Sequence, residues 1–226
     1  FGHVPSETRP IRRRNGDTLL AVDGAHVQIP INLHDKMTHF NSTKDGRGYN
    51  LLHLNALYDL KNQLYLDAVI QNGREEHESR ALVELVDRSR LKEPFIMIAD
   101  RGYEAYNNIA HIEQKNWNYL IRAKEKRGIL SGLKLPDTPE FDVAFSYFLS
   151  KRLTNRIRRE PQKYRWIPSK VRFAPIKNAT AALYPISFRS VRFAVKDGLS
   201  ETALTNLPAT HFPPPPTPSL HQQPRL

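Results

Sequence analysis

Two short apolar runs in this chain each end on an aspartate: TLLAVD closes on Asp23 and is followed by Gly24, and PFIMIAD closes on Asp100. Apolar runs of this length, bounded by polar and turn-forming residues, predict buried strands. Each strand then delivers an acid at its C-terminal end, where catalytic side chains are often placed. That pairing limits the folds open to the chain more than any other feature does.

The segments around the two runs supply an order. Tyr49 to Tyr58 and Gln63 to Ile70 predict two strands, and DLKN between them predicts a hairpin turn. Arg74 to Arg90 carries Ala81, Leu82, Leu85 and Val86 at helical spacing, and Pro94 marks the return to extended chain. Glu104 to Lys115 predicts a second helix, with Ile109 and Ile112 on one side, and Trp117 to Ala123 a further strand. The order β, β, β, α, β, α, β is that of an α/β, ribonuclease H-like mixed sheet, with Asp23 and Asp100 on strands able to be neighbours. Past Gly128 the segments FDVAFSYFL, YPISFRSVRFAV and ETALTNL predict an added β-rich region, and from Pro208 the proline-rich run HFPPPPTPSLHQQPRL predicts extended, mobile chain. The expected division is 1–127 for the core, 128–207 for the β-rich insertion and 208–226 for the tail.

Composition narrows the partners. Lys and Arg total 34 against 23 Asp and Glu, a formal net charge of +11, which favours a polyanionic partner. Cysteine is absent, which removes disulfides, thiolate metal sites and cysteine nucleophiles from consideration and suits a reducing compartment. No apolar run reaches the roughly 20 residues a membrane span needs. The opening FGHVPSETRPIRRRN lacks the apolar core of a signal peptide and reads as the tail of a preceding element. A cytoplasmic, nucleoid-associated location is expected.

Two acids pressed together by neighbouring strands repel unless cations neutralise them. Mg²⁺ or Mn²⁺ is the natural counter-charge. Two such ions activate a water or a DNA 3′-hydroxyl and stabilise the leaving oxygen in displacement at a phosphodiester. The plainer alternative is that each aspartate only caps a turn or a helix.

The words LLAVDGAHVQIP, GYNLLHLNALYDLKNQLYLDAVIQ and IMIADRGYEAYNNIAHIEQKNWNYLIRAK resemble the catalytic core of bacterial DDE-type insertion-sequence transposases of the insertion sequence four group. The resemblance runs from about residue 15 to 207, and AVDG, HLNALYD and ADRGYE are its most specific parts. It implies a ribonuclease H-like domain interrupted by a β-rich insertion, two-metal DNA cleavage and strand transfer, and a homodimer on DNA. Asp23 and Asp100 match the first two family acids, both catalytic and metal-binding. The family's third acid is a Glu in a Tyr-x-x-Arg-x-x-x-Glu pattern after the insertion. No such spacing follows ETALTNLP here, and no acid follows Glu201. The expectation is therefore a fold incomplete at its C-terminus: a fragment or inactive copy with little strand transfer. The alternative is a non-catalytic DNA-binding remnant that occupies transposon ends or pairs with an intact transposase.

Supporting residues divide the same way. Arg101, Lys124, Lys126 and Arg127 are candidate phosphate contacts, although exposed basic residues are commonly just solvated. Gly102 and Tyr103 are expected to shape the turn into the next helix. His53 and Asn55 share one strand face and could lie on the side of Asp23, with a hydrogen-bonded structural role expected for His53 rather than metal binding. The remaining histidines, among them His26, His34, His39, His77 and His111, show no zinc-like pairing and are expected to be surface or hydrogen-bonded residues.

Overall fold

A computed structural model describes residues 18–42, 46–92, 95–124, 127–176, 183–196 and 198–210. The fold is mixed α/β and divides into two compact units, Phe1–Tyr103 with His111–Tyr119, and Glu104–Ala110 with Leu120–Leu226. The proline-rich run from 211 onward and Lys126 lie outside the described residues.

In the first unit, β1 (Thr18–Ile29), β2 (His39–Phe40), β3 (Tyr49–Asp59) and β4 (Leu64–Asn72) are joined antiparallel in the order β1, β3, then β2 and β4 on β3. The expected hairpin is present. Its turn is closed by Asp59, whose carboxylate accepts from the amides of Lys61 and Asn62 at 2.9 Å each, while Gln63 takes φ 58°. Helix α1 (Glu78–Arg88) follows, and β5 (Phe95–Ala99) then pairs parallel to β1. Helix α2 (Tyr106–Gln114) comes next, its residues shared between the two units.

The core follows strand alternation. Leu20, Val22, Leu57, Val69 and Met97 are buried on one face, and α1 lays Ala81, Leu82, Leu85 and Val86 into the same core. Each fully buried leucine stabilises by about 1.5–3 kcal/mol. Arg88, at the end of α1, fixes the helix to β4 by donating to both oxygens of Asp67 and to the Ala68 carbonyl. The helix begins later than its periodicity predicts, at Glu78 rather than Arg74. Residues Gly73–Glu75 form a tight 3-10 turn instead, where a Cβ on Gly73 would come within 2.6 Å of the Leu51 carbonyl oxygen, and the His77 side chain caps the Arg80 amide.

The second unit is mostly strand. β6 (Asn118–Arg122), which belongs to this unit from Leu120, with β7 (Phe141–Ser150), β8 (Tyr164–Trp166), β9 (Leu183–Lys196) and β10 (Leu199–Thr205), gives the path β6, β10, β9, β7, β8, with the short helix α3 (Asn155–Arg159) between β7 and β8. Gly198, at φ 76°, makes the β9–β10 turn. Leu149, Ile186, Phe188, Val191 and Leu204 form its core. Among the described residues, no helix is long and apolar enough to cross a membrane.

Candidate functional site

The in-register pairing of β1 with β5 places the two aspartates. Leu20 faces Met97 and Val22 faces Ala99 across the parallel ladder; Asp23 is the next residue along β1, Asp100 is the first residue past the end of β5, and the charges of both reach the Tyr103 hydroxyl. Both are exposed. Asp23 is not at the end of its strand, as the apolar run predicts. β1 continues to Ile29, still paired with β3, and what stops at Val22 is only the pairing with β5. The apolar pattern ends there because β1 is covered on both edges up to Val22 and leaves the shelter of β5 beyond it.

A third carboxylate approaches this position from α1. A Cβ on Gly102 would lie 2.1 Å from Glu78 Oε2, so the bare backbone of Gly102, two residues past Asp100, is what admits the Glu78 side chain. Beneath them Tyr103 is 1% exposed, and its hydroxyl donates to Asn55 Oδ1 at 3.0 Å. Burial raises the Tyr103 pKa well above its ordinary value, and the charges of Glu78, Asp23 and Asp100 raise it further. Tyr103 is therefore a packed, neutral hydroxyl in a negative field. Glu78 was missed by sequence reasoning, because its charged run Arg-Glu-Glu-His-Glu-Ser gives no sign of which acid turns inward.

The register separates His53 and Asn55 from Asp23. Asp23 faces Ala56, whereas Gly24 faces Asn55 and His26 faces His53, so alternation puts the latter four on the other side of the strand pair. Asp23 instead accepts from the Gly24 amide at 2.8 Å. Among the described residues, the group of three His, Asp or Glu donors held within 4.8 Å of one another is His26, His53 and Glu76, not the aspartates.

Of the four candidate phosphate contacts, Arg101 is exposed at the start of the 3-10 turn Arg101–Tyr103, and Lys124 and Arg127 are exposed in the second unit. The loop bearing Lys124 and Arg127 is tied to Glu104. The amides of Lys124 and Ile129 donate to the two Glu104 oxygens at 2.7 and 2.6 Å, and Gly128 sits against the same carboxylate at φ 68°. Burial raises the Glu104 pKa, partly offset by these amides. A cavity of about 990 Å³ lies within the second unit, lined by Tyr106, Tyr147, Tyr164, Arg165, Trp166 and Phe173 among others. Arg165 serves the fold here, donating to the carbonyls of Ile129 and Ser131 at 3.0 and 2.7 Å.

Asp23 and Asp100 each follow the last paired residue, Val22 and Ala99, of two adjacent parallel strands in a mixed α/β unit. The chain belongs to the DDE transposase family: the family described as Transposase DDE domain matches residues 14–221. Domains of this family are generally divalent-metal dependent. A cryo-EM structure of the piggyBac transposase synaptic complex with hairpin DNA is similar over 83% of this chain and 32% of that one, at 9% identity and a TM-score of 0.42, a level that fixes no detail of fold or function. No curated protein matches the chain.

Proposed function

We propose that this chain is the catalytic part of a DNA transposase, with a ribonuclease H-like arrangement around β1, β3, β4 and β5 and a β-rich insertion over about 128–207. In this reading Asp23 and Asp100 hold Mg²⁺ or Mn²⁺ for cleavage and strand transfer at insertion-sequence ends. The observation that supports it is that Asp23 and Asp100 directly follow Val22 and Ala99, the last paired residues of two adjacent parallel strands, in a member of the DDE family. Two exposed carboxylates there supply hard oxygen donors and need a counter-charge, which fits a divalent ion. Once bound, such ions lower the pKa of an attacking hydroxyl and stabilise the departing oxygen at phosphorus.

The protein's own groups do the rest. Asp23 and Asp100 orient the ligand oxygens, Glu78 adds a third negative group beside Gly102, and buried Tyr103 and Asn55 support the turn that presents Asp100. Arg101, Lys124, Lys126 and Arg127 are the proposed phosphate contacts, in keeping with the net charge of +11. The partners are transposon-end and target DNA, with a homodimer on DNA and a cytoplasmic, nucleoid-associated setting.

The rival reading is DNA binding without cleavage, by a remnant that occupies transposon ends or pairs with an intact transposase, which the net charge of +11 supports equally. Incubating the chain with labelled DNA bearing the ends of its own element, in Mn²⁺, separates the two. Specific nicking that disappears in Asp23→Ala and Asp100→Ala supports the enzyme. Retarded but uncut DNA, unchanged in both variants, supports the binding remnant.

A further inference from the structure

We propose that His26, His53 and Glu76 form a second metal site, of the imidazole–carboxylate kind that takes Zn²⁺ or Co²⁺, which clips β1 to β3 and to the segment leading into α1. The three residues are distant in sequence, and the register brings the histidines together: His26 and His53 are directly opposed across the β1–β3 pair, their rings 5.1 Å apart. Glu76, just before α1, reaches His26 with its Oε2 2.5 Å from His26 Nε2, and the three donor atoms lie within 4.8 Å of one another.

The surroundings prepare His53 in particular. It is only 4% exposed, and its Nε2 lies over Gly24, where a Cβ would come within 2.8 Å of that nitrogen. Its Nδ1 is 3.0 Å from the Asn55 amide, which is held in turn by the Tyr103 hydroxyl at 3.0 Å. Gln71 accepts from the His77 amide at 2.9 Å and so steadies the backbone next to Glu76.

Two imidazoles and one carboxylate match a three-ligand zinc set with a fourth position open to solvent. Donor-to-metal distances of about 2.0–2.2 Å require Glu76 to back away from its direct bond with His26 while His53 closes in. Glu76 is 46% exposed and His26 52%, so both side chains have room to do this. Ligand softness also separates the two sites: nitrogen donors favour Zn²⁺ or Co²⁺ here, and oxygen donors favour Mg²⁺ at Asp23 and Asp100. The proposal stands whether or not the chain cleaves DNA.

The test is titration of the full chain with Co²⁺, followed by visible absorption and by displacement with Zn²⁺. One equivalent should bind with the intense bands of low-coordinate Co²⁺. His26→Ala and Glu76→Gln, both at exposed positions, should keep the fold by circular dichroism and weaken binding at least about 10- to 100-fold. Asp23→Ala/Asp100→Ala should bind as the parent does. Absence of a one-to-one Co²⁺ complex, or parental affinity in both His26→Ala and Glu76→Gln, would overturn the site and leave His26 and Glu76 as a simple surface ion pair.

Discussion

The lock between Glu104 and the 124–130 loop can be probed from both of its sides. Glu104→Ala strands the Lys124 and Ile129 amides, which donate to the carboxylate at 2.7 and 2.6 Å. Hydrogen bonds to a charged group are worth about 1.5–3 kcal/mol each, and water reaching the exposed end of the loop recovers part of that, so a loss of about 2–4 kcal/mol is expected. Gly128→Ala attacks the same contact with a Cβ 2.3 Å from Glu104 Oε1, on a backbone at φ 68°. The left-handed φ alone costs about 1 kcal/mol, and displacing the carboxylate adds to it. Once Glu104 is truncated the clash is gone, so Gly128→Ala should cost only the φ term in the Glu104→Ala background. Urea unfolding of the four proteins gives the double-mutant cycle. Equal costs for Gly128→Ala in both backgrounds would refute the lock.

Glu113 carries a pH dependence. Burial raises its pKa to about 7 from the ordinary 4.5, so the folded state holds a proton that the unfolded chain gives up. Its stabilisation is complete below about pH 4.5 and is lost as pH rises through about 7. Glu113→Gln should therefore stabilise the protein by about 1–3 kcal/mol near pH 8, allowing for partial exposure, and by little near pH 4; an equal shift at both pH values in thermal melts contradicts this. At Arg88 the donated bonds from its guanidinium hold the Asp67 pKa below its ordinary value, so this contribution is present at neutral pH and fades as pH falls through that lowered pKa. Both side chains are partly exposed, so Arg88→Ala should cost only about 1 kcal/mol, and less in high salt; a loss insensitive to salt would show that packing dominates. Tyr103→Phe leaves the buried Asn55 short of a donor and should cost about 1–2 kcal/mol by urea unfolding, with an unchanged midpoint counting against the bond.

Much of the first unit was legible because its apolar runs are dense and its turns are marked. Leu20 and Val22 of TLLAV, Phe95, Met97 and Ala99 of FIMIA, and the Ala81, Leu82, Leu85, Val86 set became core, and the DLKN turn closed where Asp59 could cap it. What the sequence hid depends on strand register, which a linear reading does not contain. Nothing in LLAVDGAHVQIP shows that β1 runs on to Ile29, because beyond Val22 it is held by ladder bonds to β3 and not by burial. The same register turned His53 and Asn55 away from Asp23 and set His53 opposite His26, whose separation along the chain gave no zinc-like spacing. Glu78 was hidden for a different reason. Its approach to Gly102 rests on the bare backbone of that residue, which forms the expected turn and admits the carboxylate as well.

The central claim is that Asp23 and Asp100 act together on DNA. Its most direct measurement is Mn²⁺-dependent nicking of labelled element-end DNA by the parent chain, Asp23→Ala and Asp100→Ala, each first shown to be folded and to bind the DNA. A specific nick made by the parent and reduced to background in both variants is the predicted result. A nick of equal strength in either variant, or binding with no nick by any of the three, would contradict it.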